Sequence, residues 1–113
     1  MELIDRNIII LKPRAPFLKW QQSLPDAIEG LTLEDLEGDP TAILVPELDS
    51  FDELNAFIKA HCRELFEFVL SDWHPNRQEW PPKRDHKTFS EWFSIQWSSC
   101  VAEMEQEVDD LDD

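Results

Sequence analysis

Apolar and polar positions divide the chain into segments with different spacings. Asn7 to Lys12 contains the unbroken run Ile8-Ile9-Ile10-Leu11. β-Branched side chains favour extended backbone, and Pro13 stops the run, so a first strand is predicted here. The run does not alternate, so both of its faces are expected to be covered. Thr41-Ala42-Ile43-Leu44-Val45, closed by Pro46, is likewise apolar almost throughout and reads as a central strand. Residues 93–101 fit two templates. As a helix, Phe89, Trp92, Phe93, Trp97, Cys100 and Val101 share a face. As a strand, Phe93, Ile95 and Trp97 face one side, and Ser94, Gln96 and Ser98 the other. The strand is the preferred reading, because the segment alternates cleanly and is poor helix material.

The remaining apolar positions recur at helical spacing. Pro16 to Leu24 places Phe17, Trp20 and Leu24 on one face, with Pro16 suited to a first turn and Pro25 ending the helix. Leu31 to Leu36 predicts a further helical turn, with Thr32 as its cap and Gly38 beyond its end. A long helix follows Ser50. Ser50 and Glu53 have the spacing of a capping box, and Asp49 and Asp52 sit near the positive end of the helix dipole. Phe51, Leu54, Ile58, Leu65 and Val69 form its stripe, widened by Phe57, Phe66 and Leu70, and the helix is expected to end near Asp72. Trp73, Pro75, Trp80, Pro81 and Pro82 make residues 73–84 a loop. A short helix resumes from His86 to Trp92, capped by a Thr88–Glu91 box or, one turn earlier, by Asp85.

The order β-α-β-α-α-β predicts an α+β domain: a small three-stranded sheet with helices packed on it, with Ile9, Ile43, Leu54, Ile58 and Leu65 in its core. Residues 1–104 are assigned to this single domain. The 113-residue length suits one domain, which at this size buries roughly two-thirds of its unfolded surface without metals or disulfides. Seven Phe and five Trp supply the large apolar areas that a small core needs. From Glu103 to Asp113 the chain has seven acids and no base, so an acidic, disordered tail is expected over residues 105–113.

Charge narrows the partners. The formal net charge is −15, and residues 26–53 carry ten acids without a Lys or Arg. Phosphate backbones and anionic lipid surfaces repel such a chain, so neither a nucleic acid nor a membrane is an expected partner, and a basic protein is. All ten bases lie elsewhere, eight of them at Arg6, Lys12, Arg14 and Lys19 and again at Arg77, Lys83, Arg84 and Lys87. The first residues lack the basic start and apolar core of a signal peptide, and the longest apolar run there is far short of the roughly 20 residues of a membrane span. Cys62 and Cys100 match no CxxC or zinc spacing and are expected to be reduced structural thiols of a cytoplasmic protein.

Two stretches also carry a resemblance. Ile43-Leu44-Val45-Pro46-Glu47-Leu48-Asp49 precedes the long Phe-rich helix, and Glu79-Trp80-Pro81-Pro82 precedes Thr88-Phe89-Ser90-Glu91-Trp92-Phe93. Together they resemble a family of small acidic bacterial cytosolic proteins with no assigned function, over roughly residues 8 to 102. The resemblance implies the class and the compartment. It implies no activity and no site residue.

The chemistry-bearing residues do not form a known constellation. His61, His74 and His86 belong to no HExxH or other fixed-spacing zinc motif, and His61 and Cys62 are helix neighbours whose side chains diverge by about 100°. Ser98-Ser99-Cys100 lacks a GxSxG elbow, and Gly30 and Gly38 are too few and too far apart for a phosphate-cradling loop. Acid pairs such as Glu34-Asp35 and Asp109-Asp110 read as solvated surface, since catalytic carboxylates need an enclosed site. No cofactor or metal is expected. The function expected is therefore a non-enzymatic protein-binding or adaptor domain whose acidic surface meets a basic partner. The alternatives are an inhibitor or immunity-type protein acting by charge mimicry, and a small enzyme of unknown reaction. Glu34, Asp35 and Glu37 are the candidate acidic contacts. Trp73 and Trp80, beside Arg77, Lys83 and Arg84, are the candidate aromatic ones, unless both rings fold back to seal the core. Self-association is left open.

Overall fold

The long helix expected after Ser50 dominates the computed structural model, which describes residues 1–105. The chain runs β1 (Glu2–Leu3), β2 (Asn7–Pro13), α1 (Ala15–Gln22), α2 (Leu33–Glu37), β3 (Thr41–Val45), α3 (Phe51–Trp73), a 3-10 turn (Arg77–Glu79), α4 (His86–Trp92), β4 (Phe93–Ser98) and β5 (Ala102–Glu103). It is an α+β fold. An antiparallel sheet of order β3-β2-β4 carries the helices, and a two-stranded ribbon pairs β1 with β5. Of the segment expected to be a disordered tail, residues 106–113 lie outside the described residues.

The caps follow the sequence closely. The Ser50 hydroxyl accepts from the Glu53 N–H at 3.2 Å and starts α3, while the Glu53 carboxylate accepts from the Asp49 N–H at 3.4 Å. In α2, Thr32 and Asp35 close a reciprocal box: the Thr32 hydroxyl accepts from the Asp35 N–H, and the Asp35 carboxylate from the Thr32 N–H. Asp85 caps α4 by accepting from the Thr88 N–H at 2.9 Å, which decides between the two caps open to that helix.

The sheet corrects two expectations. Along β2, buried residues alternate with half-buried ones: Asn7, Ile9, Leu11 and Pro13 face the helices, and Ile8, Ile10 and Lys12 face away. The Ile run is therefore covered on one face and not on both. Nor is β3 central. It is an edge strand paired only with β2, with Ile9 opposite Ile43 on that side and opposite Trp97 of β4 on the other. Ile43, expected in the core, is half-buried because no described strand flanks β3 on its far side. Leu44, on the outer face, is 51% exposed.

The core lies between the inner sheet face and the helices. Ile9, Leu11, Val45 and Phe93 contribute from the strands, and Leu54, Ile58, Leu65, Phe66, Val69 and Leu70 from α3. Phe51 departs from the expected stripe. It is 70% exposed in the first turn of α3, with its ring edge-on to Trp97 and the ring centroids 5.3 Å apart. Asn7 is the buried polar tie at this end. Its side-chain oxygen accepts from the Leu48 N–H at 2.9 Å and from the Trp97 indole at 3.0 Å, which fixes the β3–α3 connection to the sheet. Among the described residues no helix is long and apolar enough to cross a membrane.

Candidate functional site

The two sets of candidate contacts fall in very different surroundings. The acidic set belongs to β3 and its flanks. α2 leads directly through Gly38, Asp39 and Pro40 into β3, and Pro46, Glu47, Leu48 and Asp49 lead from β3 to α3. Glu34, Asp35, Glu37 and Asp39 are exposed before the strand, and Glu47, Asp49, Asp52 and Glu53 after it. None of them forms an ion pair among the described residues. Between the two groups of acids, β3 presents exposed Ala42 and Leu44, and the neighbouring β2 adds half-buried Ile8 and Ile10 on the same face. The result is an apolar strip bounded by carboxylates. Sequence reading missed its apolar part, because it placed β3 inside the sheet. Within the acidic set the structure separates Asp35 from its neighbours: its carboxylate is used in the α2 cap, whereas the Glu34 and Glu37 carboxylates have no hydrogen-bond partner among the described residues.

The aromatic set is turned inward. Trp80 is only 6% exposed, and its indole N–H donates to the His74 carbonyl at 2.8 Å. Trp73 is half-buried with its ring edge-on to Phe17 at 5.8 Å. Trp80 is thus not an exposed contact in this fold, and Trp73 is at most a partial one. The two rings seal one end of the core.

A polar network without any local sequence signature holds the loop in this position. The Trp20 indole donates to the Glu79 carbonyl at 2.9 Å. The His74 ring, 5% exposed, is hydrogen-bonded through Nε2 to the Glu79 carboxylate at 2.7 Å. Arg84 donates from Nε to Glu67 at 3.0 Å and from its terminal nitrogen to the Pro81 carbonyl at 2.6 Å. Glu67 also pairs with Arg63 and Arg77, and the Arg77 guanidinium lies 4.6 Å from the Trp80 ring centre. Cation–π contact of this kind holds the indole from its outer side. Glu67 and Arg84 are 17 residues apart, a separation that no motif marks.

The other chemistry-bearing residues are dispersed. Cys62 is buried, Cys100 is exposed, and both are free. His61 and His86 are exposed, while His74 is in the aromatic end. Among the described residues no group of three or more His, Cys, Asp or Glu could hold a metal ion. An open depression of about 810 Å³ lies where the start of α1 meets α4, lined by residues that include Arg14, His86, Lys87, Ser90 and Glu91. One carboxyl departs from its ordinary range: the Thr88 hydroxyl and then the Thr88 N–H hold Asp85 low, as expected of an anionic helix cap. Comparison with known proteins finds no relative: no family model matches the chain, and neither does any curated protein or solved structure.

Proposed function

We propose that this chain is a non-enzymatic protein-binding domain that presents an acidic surface, with an apolar strip at its centre, to a basic partner. The observation that supports this reading is the coincidence of charge and exposure around β3. Ten acids without a base occupy residues 26–53, and the strand among them leaves Ala42 and Leu44 uncovered. An exposed apolar patch rimmed by polar groups marks an interaction site more often than a catalytic one. The depression at α1 and α4 is open, and Arg14, His86, Lys87, Ser90 and Glu91 at its wall are all exposed, unlike the enclosed setting that shifts catalytic groups.

The test starts from affinity capture in native cytosol and continues with the purified basic partner in stopped-flow kinetics. A carboxylate field speeds encounter with a basic protein and is screened by salt. The association rate should therefore fall about tenfold or more between roughly 50 and 500 mM salt. Glu34→Gln with Glu37→Gln should slow association at low salt and leave the melting temperature unchanged. Asp35 is spared in this variant, because its carboxylate holds the Thr32 N–H. An association rate indifferent to both salt and the double substitution would sink the proposal.

A further inference from the structure

The β3 edge makes the partner's contribution more specific, on the assumption that the binding function proposed above is correct. We propose that β3 accepts an extended segment of the partner as a fourth strand, and that this segment is apolar for about five residues with Lys or Arg at both ends.

The first argument is the state of the edge. β3 pairs with β2 on one side only, and no backbone hydrogen bond from another described segment reaches its far side. An edge strand leaves a row of N–H and C=O groups that templates the addition of another strand. Folded proteins usually block such edges with Lys, with Pro, with a bulge or with a covering segment. Thr41-Ala42-Ile43-Leu44-Val45 has no charge and no Pro, and its pairing to β2 is continuous from Thr41 to Val45 without a bulge. Pro40 and Pro46 stand just outside it and limit the template to about five residues. The opposite edge differs on its outer face, where β4 turns Ser94, Gln96 and Ser98 outward in place of apolar side chains.

Charge selects the occupant. A second copy of this chain would suit the apolar strip but not its ends. In an antiparallel β3–β3 pair, Glu34, Glu37 and Asp39 of one copy would approach Glu47 and Asp49 of the other, at both ends of the pair. In a parallel pair each group would meet its own counterpart. Like charges meet in either case, and no base lies between residues 26 and 53 to relieve them. A segment with basic ends meets carboxylates at both ends instead. Its alternate side chains would rest on Ala42 and Leu44 on the outer face and beside Thr41 and Ile43 on the inner one.

A matched pair of synthetic peptides tests this with the full chain unaltered. One is Lys-Arg-Val-Ala-Val-Ile-Val-Arg-Lys with blocked ends. The other is identical but N-methylated at all five central amides. Charge and side chains are the same, and the central backbone donors of both edges are lost. Affinity is read by fluorescence titration, and amide exchange of Thr41 to Val45 by nuclear magnetic resonance. The plain peptide should slow exchange at the solvent-facing amides of β3, and methylation should weaken binding at least about tenfold, the loss of more than one backbone hydrogen bond. Equal binding of both peptides, weakened by salt, would overturn strand addition and leave the acidic-surface reading standing. Binding of neither would overturn strand addition, while the broader reading would still be judged by the salt dependence of the native partner. Slowing of the same amides with protein concentration alone would overturn it in favour of self-pairing.

Discussion

The two ends of the molecule satisfy their polar groups in opposite ways. At the aromatic end, the buried indoles and the Glu67 carboxylate are engaged. Glu67 is shared by three arginines, the Trp20 and Trp80 indoles both donate to backbone carbonyls, and Phe17, Phe66 and Phe89 are completely buried. At the β3 edge the flanking carboxylates have no ion-pair partner among the described residues, and the apolar side chains are half in water. Aromatic burial and hydrogen bonds to charged groups supply stability. Exposed like charges beside an open strand supply none and cost a little. Four of the five tryptophans belong to the first end, so the residue type richest in binding hot spots is mostly committed to holding this fold together.

This contrast can be broken at either end. Phe66→Ala removes a fully buried ring that touches Phe89, Trp92 and Phe93, and should cost about 3–5 kcal/mol in urea titration. A domain of this size has about 5–15 kcal/mol in all, so a loss near zero would mean the aromatic end does not hold the fold. Arg84→Met keeps much of the side-chain volume but frees Glu67 and the Pro81 carbonyl, and should cost about 1–3 kcal/mol in the same titration. If it is silent, the loop is held by its rings alone. Leu44→Thr should fall within about 0.5 kcal/mol of the parent chain, as exposed substitutions do. A larger loss would show that the strip is structural after all.

The smallest effect sharpens the comparison at a cap. The Asp85 carboxyl is held below its unfolded value, so its contribution is complete above that value and is lost as pH falls through the lowered one. Asp85→Asn keeps an acceptor for the Thr88 N–H but cannot titrate. Thermal melts of the two proteins should therefore differ in their pH dependence only below about pH 4.

What could be read from the sequence was local. Ser50, Thr32 and Asp85 act through neighbours three residues away, and the Leu54–Ile58–Leu65–Val69 spacing follows from helix geometry alone, so these features were legible. The alternation from Phe93 to Ser98 likewise described a half-buried strand. The errors concern neighbours that local pattern does not specify. An apolar strand looks the same at an edge as at the centre, and β3 differs from β2 only in which strands lie beside it. Phe51 fits the helical stripe, but in the first turn of α3 its ring stays 70% exposed against the Trp97 edge. β1 and β5 are two residues each, too short to leave a pattern. Of the candidate contacts, the acids were legible as charge and the apolar strip was not. Trp80 was legible as an anchor, but its burial depends on Arg77, His74 and Arg84 meeting it in space.

The strand order also sets a timetable. β2 is the middle strand, yet one of its partners, β3, closes the first part of the chain, and the other, β4, is separated from β2 by nearly the whole sequence, with Ile8 opposite Ser98. A ribosome adding roughly 5–20 residues each second needs roughly 2–10 s to pass from the end of β3 to the start of β4. During that interval the β2–β3 pair has two open edges and no Phe93 to complete its core. Such non-local pairing is slow to form, and a nascent β-ribbon of this kind is the species most prone to stick to others of its kind. The carboxylates at both ends of β3 are already synthesised by then, and their like charge opposes the pairing of one unfinished chain with another.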